Sequence, residues 1–164
     1  MIGCEVVVVA LESTLSTLEM FVSDFTDADL LVRPVPGANH AAWQLGNVIG
    51  GDSFLVTAEL PGVVYPELPA GFLELHGGKG SKIDIAAGFL TKDGYLTLLR
   101  AVRAVTVAAV RKLSDADLSK PSSEAMRWAG PTLAHVLLFA AQHTMQHAGQ
   151  FTVIRRKLGK PVLF

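Results

Sequence analysis

The stretch LAHVLLFAAQHTMQHAGQFTVIRRKL, residues 133–158, decides the fold because its apolar residues recur at helical spacing over several turns. Its central part, HTMQHAGQ, places His143 and His147 four residues apart and Gln150 three residues further on. At 100° per residue, these three side chains share one stripe of a helix. Since apolar residues surround the stripe on both sides, we predict that it lies along a largely buried helix.

The histidine pair has two interpretations. Two neutral imidazoles at positions i and i+4 can offer two ring nitrogens to one divalent transition metal. A catalytic zinc or nickel centre normally takes three protein ligands and leaves a position for water, so a third ligand is required. The same pair can instead be hydrogen-bonded in the core without an ion. For His143 and His147 alone, both interpretations stay open.

The rest of the chain predicts three further long helices from the spacing of its apolar residues. We place them at about residues 5–24, 40–60 and 92–113, ahead of the last helix at about 131–158. Residues 61–82 are rich in Pro and Gly and predict a long irregular crossover. We therefore predict an all-α, up-and-down four-helix bundle with this crossover between helices 2 and 3 and a pocket between helices 2 and 4.

An internal repeat supports two helical pairs. Residues 25–30, FTDADL, recur as LSDADL at 113–118, an offset of 88 residues. The same offset aligns LGNV at 45–48 with LAHV at 133–136. The repeat predicts that the first and second pairs of helices are related by an approximate twofold axis.

Composition restricts the class of protein. The 164 residues suit a single domain spanning 1–164, and with 50% hydrophobic and 18% charged residues we expect a homodimer that buries additional apolar surface. A net charge of −1 gives no long-range attraction for nucleic acid, so we predict no nucleic-acid partner. Cys4 is the single cysteine, which excludes an internal disulfide and is compatible with a reducing cytosol. The start has no basic leader, and no apolar run reaches about 18 residues, so a cytoplasmic protein with no membrane span is expected.

Several motifs together resemble one family. His143, His147, Gly149 and Gln150 are similar to the His-x-x-x-His-x-Gly-Gln signature of the DinB/YfiT-like metalloproteins. TDADLLVRPVPGANHAAWQLGNV, residues 26–48, and the ending RRKLGKPV resemble the same family. This resemblance implies a four-helix bundle that binds zinc or nickel through three histidines. It also implies a thiol-dependent transferase or hydrolase that uses a low-molecular-weight thiol.

The sequence departs from this family at the third ligand. The family's helix-2 histidine follows a pattern like Trp-x-Leu-Gly, and here Trp43-Gln44-Leu45-Gly46 is followed by Asn47. An amide oxygen is a poor donor to zinc or nickel, so a site of His143, His147 and Asn47 is expected to bind a divalent metal weakly. Alternatively, Asn47 forms a hydrogen bond with a histidine and no ion is present.

Two functions follow from these observations. The first is a DinB-like metal-dependent enzyme in which the ion activates a thiol or water. The second is a metal-free protein that binds a small molecule or a second copy through the same pocket. Both use a pocket that we expect to be lined by Trp43, Phe54, Phe139 and Gln150. Catalytic residues are not identified, and the other polar residues are interpreted as surface groups: Asp52, Glu59, Arg100, Arg103, Arg111, His40 and His76.

Overall fold

The computed structural model describes residues 3–163 and is all-helical, as predicted. Four long helices account for most of it: α1 (Gly3–Val22), α2 (Ala41–Glu59), α3 (Lys92–Val110) and α4 (Leu133–Lys157). Residues 1, 2 and 164 of the predicted domain lie outside the described residues. The described part contains no β-strand, and its helices include none that is long and apolar enough to cross a membrane. Shorter helical segments lie in the connections: Asp29–Leu31, Phe72–Leu75, Gly80–Lys82, Asp115–Leu118 and Glu124–Ala129.

The direction of the helices differs from the prediction. Each of α1 and α2 packs against both α3 and α4. One buried apolar cluster contains the C-terminal halves of α1 and α4 and the N-terminal halves of α2 and α3, and a second cluster contains the opposite halves. Helices α1 and α4 therefore run one way, and α2 and α3 run the other way. The predicted up-and-down alternation is wrong because the crossover returns the chain to the end at which α2 begins.

The crossover, residues 60–91, is fastened to the N-terminal half of α2. The indole Nε1 of Trp43 donates to the carbonyl of Gly77 at 3.0 Å. One turn later, Nδ2 of Asn47 donates to the carbonyl of His76 at 2.9 Å. These bonds satisfy backbone carbonyls of an irregular segment, and they hold it across one side of α2.

The internal repeat has the same local structure in both copies. In the first copy, Asp29 accepts from the Thr26 backbone at 2.8 Å and its own N–H donates to the Thr26 hydroxyl at 3.2 Å. In the second copy, Asp117 and Ser114 make the corresponding bonds at 2.9 and 3.2 Å. Each pair is a reciprocal capping box at the start of a short helical turn.

The two repeat copies also cap each other's first helix. Asp27 accepts a hydrogen bond from the backbone N–H of Lys92, the first residue of α3, at 2.7 Å. Asp115, which is equivalent to Asp27 in the repeat, accepts from the N–H of Gly3 in α1 at 2.9 Å. A carboxylate at a helix N-terminus satisfies a free N–H and interacts favourably with the helix dipole. The contacts agree with two equivalent helical pairs, as the repeat predicts.

A buried ion pair joins all four long helices. Arg103 of α3 and Asp52 of α2 are 1% and 0% exposed, and Nε and Nη2 of Arg103 donate to the carboxylate at 2.7 and 3.2 Å. The guanidinium also donates to the Leu11 carbonyl of α1 at 2.6 Å and to the Thr144 hydroxyl of α4 at 2.7 Å. These additional bonds use donors that would otherwise be costly to bury.

Several residues interpreted as surface groups are in fact buried. Arg103 lies on the inward stripe of α3, because Val102 and Val107 flank it on the same buried side. Its burial, and that of Asp52, corrects the prediction of solvent-facing charges. His40 and His76 are buried as well. Nε2 of His40 bonds the Ile83 carbonyl of the crossover, and Nε2 of His76 bonds the Tyr95 hydroxyl of α3.

Candidate metal centre and ligand cavity

The two signature histidines meet at their Nε2 atoms. His143 and His147 lie one turn apart on α4, and their Nε2 atoms are 3.1 Å apart. Their rings are nearly perpendicular, at 81°, with centroids 4.7 Å apart. A contact of this length requires one nitrogen to carry a proton and the other to accept it, or both to face a cation.

Gln44 fixes the tautomer of His147. The amide nitrogen of Gln44 donates to the carbonyl of Asn39 at 2.8 Å, so its oxygen faces Nδ1 of His147 at 3.0 Å. An amide oxygen only accepts, and therefore Nδ1 carries the proton and Nε2 has a free lone pair. A hydrogen bond of this kind, from a residue that is not itself a ligand, commonly orients the ring of a metal-binding histidine.

Asn47 directs a second acceptor at the same point. Because its Nδ2 is used by the carbonyl of His76, its Oδ1 faces Nε2 of His147 at 3.2 Å. Neither Asn47 Oδ1 nor His147 Nε2 has a proton to give. The Nε2 of His143 supplies at most one proton to the group. The structure therefore brings His143, His147 and Asn47 together with their lone pairs converging.

The spacing of these atoms fits a single small cation. Zinc–nitrogen bonds are about 2.0–2.1 Å, so two nitrogens on a tetrahedral ion are about 3.4 Å apart. The observed separations of 3.1 and 3.2 Å differ from this by a few tenths of an ångström. No group of three or more His, Cys, Asp or Glu side chains suited to a metal occurs among residues 3–163. The third donor is the neutral amide, which favours weak binding.

Both histidines are neutral near pH 7. Burial lowers the pKa of His147 to about 3, and the neighbouring His143 adds to the effect. Burial also lowers the pKa of His143, and the positive charge of Arg103 lowers it further. Neutral imidazole is the form that a metal requires, so neither ligand would first have to lose a proton.

Two glycines of α2 make room for histidine rings. A Cβ at Gly51 would lie 2.9 Å from Cε1 of His143 and 3.0 Å from Nδ1, an atom that is buried and has no hydrogen-bond partner among the described residues. A Cβ at Gly46 would lie 2.0 Å from the ring of His76. Any larger residue at Gly46 would push His76 away from its bond to Tyr95 at 2.7 Å.

A cavity of about 830 Å³ lies beside the histidine pair. Its walls come from α2, the crossover, Trp128 and α4, which places it between helices 2 and 4. Asn47, His143, Phe54 and Phe139 all line this cavity. The full set of lining residues is Gly46, Asn47, Gly50, Gly51, Ser53, Phe54, Leu55, Thr57, Ala58, Val63, Tyr65, Pro66, Leu68, Leu73, His76, Gly77, Trp128, Phe139 and His143.

Two residues expected in the pocket are placed elsewhere. Trp43 is buried behind the cavity wall, with its ring centroid 6.4 Å from that of His147. Gln150 is exposed and outside the lining. His147 faces Gln44, which lies near the start of α2. Gln150 is three residues further along α4, so it lies beyond the part of α2 that forms the cavity wall.

Sequence reasoning missed Gln44 and His76. Gln44 precedes Asn47 by three residues, so helical spacing alone placed it on the same face and could have suggested a supporting role. His76 lies in the irregular crossover, and its contacts with Asn47 and Tyr95 bridge 29 and 19 residues. No local pattern predicts such contacts.

The fold and the site define an all-helical protein in which histidine and amide side chains lie together beside an apolar cavity. A sequence model of the DinB superfamily matches residues 10–151, and the chain belongs to this superfamily. No curated protein matches the chain at a significant level.

Proposed function

We propose that this protein is a DinB-type metal-dependent enzyme built on a four-helix bundle, and that a zinc or nickel ion binds to His143 and His147 with Asn47 as a weak third ligand. The observation that carries the proposal is the convergence of Asn47 Oδ1 and the two Nε2 atoms beside a cavity. The proposed reaction class, a thiol-dependent transfer or a hydrolysis with a low-molecular-weight thiol or water as the nucleophile, is the one that the resemblance to DinB/YfiT-like metalloproteins implies.

The supporting residues hold the ligands in a usable state. Oε1 of Gln44 accepts a hydrogen bond from Nδ1 of His147, which keeps the Nε2 lone pair of His147 directed at His143 and Asn47. The carbonyl of His76 keeps Oδ1 of Asn47 on the same side. A divalent ion held by His143, His147 and Asn47 would supply Lewis-acid activation of a thiol or water near neutral pH. The adjoining cavity offers space for a substrate beside this point.

A second function is favoured by a different observation. Without an ion, Nδ1 of His147 donates to Oε1 of Gln44, and Nε2 of His147 can accept from Nε2 of His143. The cavity wall is mostly apolar, and such a cavity suits a small organic ligand. A metal-free binding protein is therefore the alternative to the enzyme.

The proposal includes a homodimer. Val6, Val9 and Met20 are exposed on one outer side of α1, where Ser13 and Ser16 lie between Val9 and Met20. Exposed apolar side chains on one helix face suit contact with a second copy, in which the same face would meet itself across a twofold axis.

Calorimetric titration of zinc or nickel into tag-free, chelator-treated protein tests the metal function. We expect one ion per chain in the wild type and loss of binding in His143→Gln. His135→Gln is the matched control, because His135 is an exposed histidine on the same helix and its ring bonds the nearby Thr132 hydroxyl. Absence of binding by the wild type would refute the metal-dependent enzyme and leave the ligand-binding protein.

A further inference from the structure

The cavity beside the histidines has no charged side chain in its wall. None of the nineteen lining residues is Lys, Arg, Asp or Glu. Asp52 and Arg103 form a buried ion pair with each other and do not line the cavity. A charged group on a ligand would therefore lose its water without gaining a counter-ion, which is costly.

The polar side chains of the wall are largely occupied. The Ser53 hydroxyl donates to a carbonyl of its own helix at 3.0 Å, and the Tyr65 hydroxyl is bonded to that of Thr106 at 2.8 Å. Both ring nitrogens of His76 have partners at 2.7 Å. The remaining polar side chains of the wall are those of Asn47 and His143, at the histidine cluster, and of the exposed Thr57. Within the wall, the two that lie together are Asn47 and His143, at one end of the cavity.

An aromatic wall leads from solvent to that end. The Trp128 ring meets the Phe139 ring edge-on at 5.0 Å between centroids. Phe139 is nearly parallel to the His143 ring, at 10° and 6.3 Å. At the rim, Phe54, Leu73 and Trp128 are 58%, 58% and 62% exposed. Large apolar side chains clustered around an opening are typical of a surface that a ligand covers.

From these contacts we infer that the cavity takes a small molecule with an uncharged, mainly aromatic or aliphatic body and one polar end that reaches Asn47 and His143. The inference deepens the proposed function, on which it rests in taking this cavity as the substrate site. It excludes substrates and thiols that carry carboxylate or ammonium groups on the body. Such groups would lie against the uncharged wall, whereas a thiol or hydroxyl at the polar end would meet the cluster.

A matched pair of fluorescent probes tests the inference. N-phenylnaphthylamine is neutral, and anilinonaphthalene sulfonate adds one negative charge to the same ring skeleton. In chelator-treated protein, we expect the neutral probe to bind at least tenfold more tightly than the sulfonate. Equal or tighter binding of the sulfonate would overturn the inference.

Substitutions at exposed wall positions locate the binding without disturbing the core. Phe54→Ala and Trp128→Ala should each raise the Kd of the neutral probe threefold or more. Ala58→Lys places a cation in the wall and should reduce the preference for the neutral probe at least fivefold. Ala104→Lys, the same change at an exposed position of α3 outside the cavity, should leave it unchanged. If Ala58→Lys and Ala104→Lys behave alike, the probe binds elsewhere and the inference fails.

The result is separable from the test of the metal. Probe binding is measured without metal, and metal binding is measured without probe. A protein that prefers the neutral probe but binds no zinc or nickel would retain the inference and lose the proposed enzyme. A protein that binds metal but shows no preference between the probes would retain the enzyme and lose the inference.

Discussion

Replacing Arg103 by Met tests how far the buried ion pair holds the helices together. The substitution removes the counter-ion that Asp52 has within residues 3–163, and the Asp52 side chain is fully buried. Removing one partner of a buried pair typically costs about 3–5 kcal/mol, because the other charge stays buried and uncompensated. At this chain length each kcal/mol lowers the melting temperature by about 2–4 °C, so we expect a fall of about 6–20 °C.

Arg100→Met is the matched control for this change. Arg100 lies one turn earlier on the same helix, and its pair with Glu19 at 2.6 Å is on the surface, with the arginine side chain 58% exposed. Exposed pairs contribute about 0–1 kcal/mol, so the control should lose a few degrees at most. Thermal unfolding followed by circular dichroism measures both variants against the wild type.

The pH dependence of the Arg103→Met variant provides a second readout. Burial raises the pKa of Asp52, and Arg103 opposes this rise. Without Arg103 the carboxyl takes up a proton more readily in the folded state, so its contribution to stability recovers as the pH falls. The deficit relative to the wild type should therefore shrink toward pH 5. The reasoning is refuted if the free energies of unfolding of Arg103→Met and Arg100→Met differ by less than about 1 kcal/mol. It is also refuted if the double variant Asp52→Leu with Arg103→Met is no more stable than Arg103→Met alone.

Three further predictions concern the site and the surface. Asn47→His should bind zinc or nickel at least about tenfold more tightly than the wild type, or about 1.4 kcal/mol, in calorimetric titration, because an imidazole replaces a weak amide donor; equal affinities would show that Asn47 does not occupy the third ligand position. In metal-free protein, the free energy of unfolding should be highest above pH 6.5 and should decrease below it. The pKa of His147 is lowered from 6.5 to about 3 in the folded state, so on acidification the unfolded chain takes up this proton at a higher pH than the folded protein does. Chemical denaturation should show about 2 kcal/mol lost through this residue by pH 5, and a flat profile between pH 7 and 5 would contradict it. Light scattering should give twice the chain mass for the wild type and the chain mass for Val9→Glu, and a wild-type monomer at micromolar concentration would remove the homodimer.

Local patterns in the sequence predicted the helices well. Apolar spacing placed all four long helices within a few residues of their observed bounds, because each buries one continuous face. The repeated FTDADL and LSDADL segments predicted two equivalent halves, and the matching capping boxes agree with this. The direction of α3 and α4 relative to the first two helices could not be derived in the same way. A Pro- and Gly-rich crossover of this length can return the chain to either end of a bundle.

In the candidate site too, local spacing predicted some residues, and contacts between distant residues were missed. His143 and His147 share a stripe by local geometry, and the pattern before Asn47 pointed to the same place from α2. The burial of Arg103 was missed because an arginine within an apolar stripe is normally assigned to its solvent edge. Its partners, Asp52 and the Leu11 carbonyl, are 51 and 92 residues away. Only the packed helices show that the inside of this protein offers enough acceptors for a guanidinium.

The reciprocal aspartate caps make the two halves of the chain dependent on each other. Asp27 completes the first helix of the second half, and Asp115 completes the first helix of the first half. A half-length chain with this sequence pattern would need a second copy to complete its own caps. The crossover therefore joins covalently two halves that each complete the first helix of the other. A protease cut within it would leave a paired, non-covalent complex rather than two separately folded pieces.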